Sequence, residues 1–160
     1  PCAIEDIHHG PALVRVTLRL GRDHVIKSAI TQESAQLLGL RRGMRLIAAA
    51  KATAVDIAKN FPPDNRYENV LKGTVIRCAR SYKGGEVTLQ LPGGLVIVGF
   101  AHRGHHLQAG VTAEASIPSN AIILVRLNSS ISESTVFQPD KGKISRAQDE
   151  VLASMPPEHS

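Results

Sequence analysis

An internal repeat restricts the fold of this 160-residue chain more than any other feature of its sequence. A shift of 71 positions aligns Val16-Thr17-Leu18 with Val87-Thr88-Leu89. After a four-residue deletion, a shift of 67 positions aligns Ala52-Thr53-Ala54-Val55 with Ser119-Asn120-Ala121-Ile122. A chain that repeats itself folds as copies of one structural unit. We therefore predict two copies of one small domain.

The repeat sets the expected domain boundaries. We place a first repeat with a truncated start at residues 1–60 and a second repeat at residues 61–128. In residues 129–160, Ser, Glu, Pro, Asp and Lys replace the aliphatic alternation. Such a polar segment buries too little apolar surface to form a core. It is expected to be a flexible tail.

Each repeat is predicted to consist of short antiparallel strands. Leu13–Leu20 alternates apolar and polar residues, which is typical of a half-buried strand. The turn sequences Gly21-Arg22-Asp23 and Leu91-Pro92-Gly93-Gly94 occupy corresponding positions in the two copies. Leu46–Ala50 and Thr53–Ile57 predict further strands in the first copy.

One short helix interrupts these strands. Thr31 is a candidate N-cap, Ala35 and Leu38 supply an apolar face, and Gly39 ends the helix. A five-stranded barrel with a short helix is the pattern of the oligonucleotide- and oligosaccharide-binding (OB) fold. The expected fold class is therefore mainly β, with two tandem OB-like five-stranded barrels and one short helix in each.

The charge distribution favours an acidic ligand. The formal net charge is +5, and residues 1–60 carry nine Lys and Arg against five Asp and Glu. This excess suits nucleic acid, and it equally raises the local concentration of a small dianion. Nucleic-acid-binding barrels stack bases on aromatic side chains. This chain has no Trp, two Tyr and three Phe, which favours the small dianion.

No catalytic or metal-binding pattern is evident in the sequence. It contains no nucleophile beside a base, no paired carboxylates and no nucleotide-binding glycine loop, so we do not expect an enzyme. His102, His105 and His106 have a spacing that could place two imidazoles on one helical face. Because no cysteine or carboxylate cluster joins them, exposed histidines are the favoured interpretation.

Two features point to the cytoplasm. The first residues lack the basic start and apolar core of a secretory signal, and no apolar run reaches the roughly 18 residues of a membrane span. Cys2 and Cys78 have no Cys-x-x-Cys partner. They are expected to be free thiols in a reducing compartment.

One stretch of the first copy resembles a repeat of the molbindin family. It reads Ile30-Thr31-Gln32-Glu33-Ser34, then Leu38-Gly39-Leu40-Arg41-Arg42-Gly43, then Lys51-Ala52-Thr53. The resemblance covers residues 1 to about 127 and is greatest to the effector-binding half of molybdate-responsive transcriptional regulators. It implies that hydroxyls, backbone amides and a lysine hold molybdate or tungstate between subunits, without an organic cofactor.

The chemistry of the ligand agrees with this resemblance. A fully ionised oxyanion offers only acceptors, so its site must present donors and a cation. Exposed backbone N–H groups at the helix start, two hydroxyls and one lysine meet that requirement. The residues expected to bind the oxyanion are Thr31, Ser34, Lys51, Ala52, Arg66 and Asn69.

The same residue types have other common roles. Thr31 and Ser34 could serve as a helix cap alone, and Lys51 could be a solvated strand lysine in an apolar stretch. The second copy departs from the family pattern, since Pro118 aligns with Lys51 and Glu68 replaces the arginine of a Ser-Ala-Arg-Asn motif. It is not expected to repeat the same site.

These observations lead to one expected function and two alternatives. The chain is interpreted as the sensor domain of a molybdate-responsive regulator, with an intracellular molybdate store or a nucleic-acid-binding OB-type module as the alternatives. Partners are expected to be the oxyanion and a second copy of the chain, with a higher oligomer allowed. DNA would be contacted only through a part not present in this sequence.

Overall fold

A computed structural model describes residues 1–64, 66–79 and 84–126 of the chain. The predicted tail, residues 129–160, lies outside these ranges. Within these ranges, ten strands form two five-stranded sheets, and one α-helix follows the third strand. In chain order the elements are β1 Cys2–His9, β2 Leu13–Leu20, β3 His24–Thr31, α1 Gln32–Leu38, β4 Arg45–Ala49, β5 Asp56–Ala58, β6 Leu71–Cys78, β7 Gly85–Gln90, β8 Val96–Ala101, β9 Thr112–Ser116 and β10 Ile123–Arg126.

The two sheets have the same strand order, and each takes one strand from the other repeat. The first sheet runs β10-β4-β1-β2-β3. The second is a closed barrel, β5-β8-β7-β6-β9, which in the opposite direction reads β5-β9-β6-β7-β8. In that direction each strand is the counterpart of the strand at the same place in the first sheet. Thus β5 completes the second sheet and β10 belongs to the first. The mainly β fold class with tandem OB-like units is confirmed. The boundary at residues 60 and 61 stays a prediction, and the strand pairing crosses it in both directions.

A matching irregularity in the pairing of the first two strands shows how closely the repeats correspond. The β1–β2 register shifts between Ile4 and Asp6, and the β6–β7 register shifts between Val75 and Arg77. These positions are 71 residues apart in the sequence. A bulge adds one residue to a strand and bends it. Both repeats therefore bend their first strand at the same point.

Among the described residues, backbone hydrogen bonds close the second barrel but not the first. In the second barrel, β5 lies parallel to β8 and antiparallel to β9. In the first sheet, the buried Ser28 hydroxyl on β3 donates to the Ile122 carbonyl just before β10, over 3.0 Å. This side-chain bond joins the two ends of the first sheet.

The helix prediction is confirmed in the first repeat and wrong in the second. Helix α1 begins after Thr31 and ends at Gly39, whose φ of 59° is the left-handed conformation that glycine adopts without strain. At the corresponding position, residues 102–110 form turns instead. Gly104 and Gly110 both have positive φ there, which breaks the helical backbone.

The predicted strand Thr53–Ile57 is also wrong in part. Residues Ala52–Ala54 form a 3-10 turn, and the strand covers only Asp56–Ala58. Residues Ser119–Ala121 form the same turn in the second repeat. Each turn leads the chain from one sheet into the other.

The core is built from equivalent aliphatic residues in the two repeats. Alternate positions along the strands point inward, as period-2 patterning requires. Ile4, Val16 and Leu18 are buried in the first repeat, as are Val75, Val87 and Leu89 at the corresponding positions of the second. Within the described residues, no helix has the length and apolar character needed to cross a membrane.

Candidate functional site

The Thr31 and Ser34 side chains form one hydrogen-bonded pair at the start of α1. Thr31 Oγ1 accepts the Ser34 backbone N–H over 3.1 Å and donates to Ser34 Oγ over 2.8 Å. The expected cap is therefore confirmed. With Ser34 Oγ acting as acceptor, the Ser34 hydroxyl hydrogen remains available for another acceptor. Thr31 is exposed and Ser34 is half-buried, so both can be reached from solvent.

Lys51 and Ala52 lie at the beginning of the first 3-10 turn. The Lys51 carbonyl accepts the Ala54 N–H over 2.9 Å, which fixes the backbone while the Lys51 side chain remains exposed. Ala52 is half-buried and borders an apolar cavity of about 330 Å³. In the described part of the chain, no hydrogen bond joins Lys51 to Thr31 or Ser34. The cation and the hydroxyl pair are thus separate elements of the predicted site.

Arg66 is paired within its own loop. Its guanidinium donates to Asp64 Oδ2 over 2.9 and 2.7 Å and lies 6.0 Å from the centre of the Tyr67 ring. This bidentate contact holds the pKa of the Asp64 carboxyl below its ordinary value. An oxyanion that used the Arg66 guanidinium would have to compete with Asp64.

The Asn69 side chain links the two repeats. Its Oδ1 accepts the Lys27 N–H over 2.6 Å, while Nδ2 donates to the Lys27 and Ile117 carbonyls, each over 2.9 Å. Both amide hydrogens are therefore used within the chain. Asn69 also has a φ of 46°, a left-handed conformation that asparagine tolerates better than most residues. These features give Asn69 a structural role in the joint between the repeats.

Glu68 contributes a carboxylate contact that the sequence pattern did not predict. Its Oε2 accepts the Ser119 N–H over 2.5 Å. Hydrogen bonding from the Ser119 side chain, and after it from this N–H, lowers the pKa of Glu68. Arg15 and Lys27 add attractive charge. The partners are 51 residues apart in sequence, so spacing could not reveal the contact. The one available signal was the replacement of the family arginine by a glutamate.

The three histidines lie around a second cavity, of about 390 Å³, together with Lys59 and Arg103. His105 Nδ1 accepts the Leu107 N–H over 3.3 Å, and His102 Nε2 lies 3.8 Å from Asp56 Oδ1. Among the described residues, no group of three or more His, Cys, Asp or Glu side chains has a geometry that could hold a metal ion.

Comparison with known proteins places this geometry in a family context. The TOBE domain family model matches residues 1–57. The molybdenum transport protein ModE of Herbaspirillum seropedicae is 34% identical over 92 residues, which cover 57% of this chain and 34% of that protein. The chain therefore spans about a third of the length of the curated relative it matches.

A solved structure shares the fold over most of the chain. It is the cytoplasmic molybdate-binding protein ModG, in a crystal form with molybdate bound. The TM-score is 0.70 at 26% sequence identity, and the match covers 79% of this chain and 93% of ModG. The tandem arrangement of the two sheets is thus shared with a protein of known ligand.

Proposed function

We propose that this chain, which carries a TOBE domain in residues 1–57, binds a tetrahedral oxyanion, molybdate or tungstate. The observation that carries the proposal is the fold shared with ModG, a molybdate-binding protein, over most of both chains. The likeness to ModE adds a second protein concerned with molybdenum. We infer a binding protein rather than an enzyme.

The proposed site consists of Thr31, Ser34, Lys51 and the Ala52 N–H. The Ser34 hydroxyl, Lys51 and the Ala52 N–H offer donors, and Lys51 adds the positive charge that a dianion requires. Thr31 donates to the Ser34 hydroxyl oxygen, which leaves the hydrogen of Ser34 free to donate to the ligand. No carboxylate forms a recorded contact with these four groups within the described residues, in keeping with an anion site.

Arg66 and Asn69 take indirect roles in this proposal. Arg66 adds positive charge, although Asp64 holds its guanidinium. Asn69 has no amide hydrogen to spare, so it acts by fixing the joint between β3 and the segment after β9.

We propose a sensor role, with storage as the second candidate. The resemblance of the first repeat to the effector-binding half of molybdate-responsive regulators favours a sensor, and the ModG likeness favours a cytoplasmic binding protein. A sensor must change its structure or assembly when the oxyanion binds, whereas a store need not. Hydrogen exchange distinguishes the two roles, because added molybdate should change the protection of amides outside the site in a sensor but need not do so in a store.

Calorimetric titration of the purified chain with molybdate, tungstate and sulfate tests the proposed function. We expect molybdate or tungstate to bind with a micromolar or lower Kd. Saturation at about 100 Kd should then raise the free energy of unfolding by about 2.7 kcal/mol. Absence of both heat and a melting shift with molybdate and tungstate at millimolar concentration would contradict the proposal.

A further inference from the structure

The two 3-10 turns differ in the partner of one backbone N–H group. Both turns are closed alike, since the Ala54 N–H bonds to Lys51 O over 2.9 Å and the Ala121 N–H bonds to Pro118 O over 3.0 Å. Ser119 in the second repeat aligns with Ala52 in the first. The Ser119 N–H is bound by the Glu68 carboxylate, whereas no partner of the Ala52 N–H is recorded in the described residues.

The Glu68 backbone is held in place by two hydrogen bonds. The Glu68 carbonyl accepts the Ile117 N–H over 3.1 Å and the Ser116 hydroxyl over 3.0 Å. These two bonds anchor the residue against the end of β9. The carboxylate needs only its own side-chain torsions to reach Ser119.

Glu68 and Ser119 line a polar cavity of about 560 Å³. Its charged lining residues are Arg15, Lys27, Asp64 and Glu68, and Asp64 is neutralised by the bidentate contact with Arg66. Glu68 is therefore the anion that balances Arg15 and Lys27. Without the Glu68 carboxylate, the cavity would present two cations and an unpartnered N–H group, a set of donors that suits an anion.

We propose that Glu68 is a built-in anion that occupies the oxyanion position of the second repeat and keeps free oxyanions out of this cavity. The inference rests on the proposed function, because the equivalent position of the first repeat is the proposed molybdate site. This inference explains why two repeats with the same fold carry a single oxyanion-binding site. Substitution of Glu68 converts the second repeat into a site for the same class of ligand.

The test is the number of molybdate ions bound per chain, measured by calorimetry on the full chain. We expect one per chain for the wild type and two for Glu68→Ala, which removes the carboxylate and leaves both its place in the cavity and the Ser119 N–H free. Glu114→Ala is the matched control, because Glu114 also binds a backbone N–H, that of Phe61 over 2.8 Å. It lies outside the cavity and should leave the number at one.

A further variant identifies the gained site. Lys27→Ala in the Glu68→Ala background should weaken the second binding event about tenfold, since a charge-assisted contact is lost. The first binding event should keep its affinity.

Each outcome of this test has a separate meaning. Two ions per wild-type chain, or one ion per folded Glu68→Ala chain, would overturn the inference and leave the proposed function standing. No binding by any variant, the wild type included, would overturn the proposed function itself. Circular dichroism establishes that the variants are folded, and the wild-type number tests the inference even if Glu68→Ala fails to fold.

Discussion

Lys51 is exposed, so its contribution to binding depends on position and not on burial. Lys72, on β6, is an exposed lysine with the same charge. We expect Lys51→Ala to weaken molybdate binding about tenfold, because a charge-assisted hydrogen bond is lost. Lys72→Ala should act only through screened attraction, which added salt reduces further. Equal small losses in calorimetric affinity would remove Lys51 from the site.

Glu68 also predicts how stability depends on pH. Its pKa lies below the ordinary value of 4.5 because its carboxylate accepts hydrogen bonds from the Ser119 side chain and from the Ser119 N–H. A depressed folded-state pKa stabilises the fold above the unfolded-state value, and this stabilisation is lost as pH falls through the folded pKa. Between about pH 7 and pH 3, the melting temperature of the wild type should therefore fall further than that of Glu68→Gln. The pKa values of Asp6 and Asp64 are also lowered. Both residues are present in both proteins, so their contributions to the difference in melting temperature cancel. Equal falls in the two proteins would show that the Glu68 contact is not maintained in solution.

The sequence predicts local contacts between residues and misses distant ones. The Thr31–Ser34 cap spans three residues, so its spacing alone identified it. The contacts of Asn69 with Lys27 and Ile117 span 42 and 48 residues. Their geometry exists only after both repeats have folded, so the sequence could not predict these contacts of Asn69.

At the scale of elements, the alternation of apolar residues predicted the long strands and the turns predicted the hairpins. The sequence could not show that β5 and β10 exchange sheets. Each has only three or four residues, and so short a strand carries too little pattern to identify its neighbour. Packing against the other repeat determines the pairing.

Gly99 permits the parallel contact through which β5 joins the second barrel. A Cβ atom at this position would lie 2.6 Å from Val55 O and 2.7 Å from Val55 Cγ1. The adjacent Phe100 N–H donates to the same Val55 carbonyl over 2.8 Å. We expect Gly99→Ala to lower the free energy of unfolding by about 1 to 3 kcal/mol through overpacking. Denaturant unfolding measures this loss, with Val98→Ala on the same strand as a control that should cost about 0.5 kcal/mol. Similar losses for both variants would mean that the contact between Gly99 and Val55 accommodates the added methyl group without strain.

At the scale of the whole molecule, the outer face of the first sheet is unusually apolar. Ile47 on β4 lies opposite Val125 on β10, and Ile123 is on the same face two residues earlier. Their exposed fractions are 36%, 44% and 55%. The solvent face of an antiparallel sheet is normally polar, and contiguous exposed apolar residues mark interaction surfaces. This strip is our candidate for the contact between two copies of the chain.

We therefore predict a homodimer that buries the β4–β10 face. Sedimentation of the wild type should give twice the chain mass of 17.2 kDa at micromolar concentration. Ile123→Lys should shift the equilibrium toward the monomer by at least about tenfold in Kd, because a buried charge without a partner opposes association. Leu37→Lys introduces the same charge at a more exposed position, 79% accessible on α1, and should leave the dimer intact. A wild-type chain that sediments as a monomer would contradict the dimer. A dimer that Ile123→Lys leaves unchanged would place the interface on another face. Under either of these two outcomes, the oxyanion site would have to be complete without the β4–β10 contact.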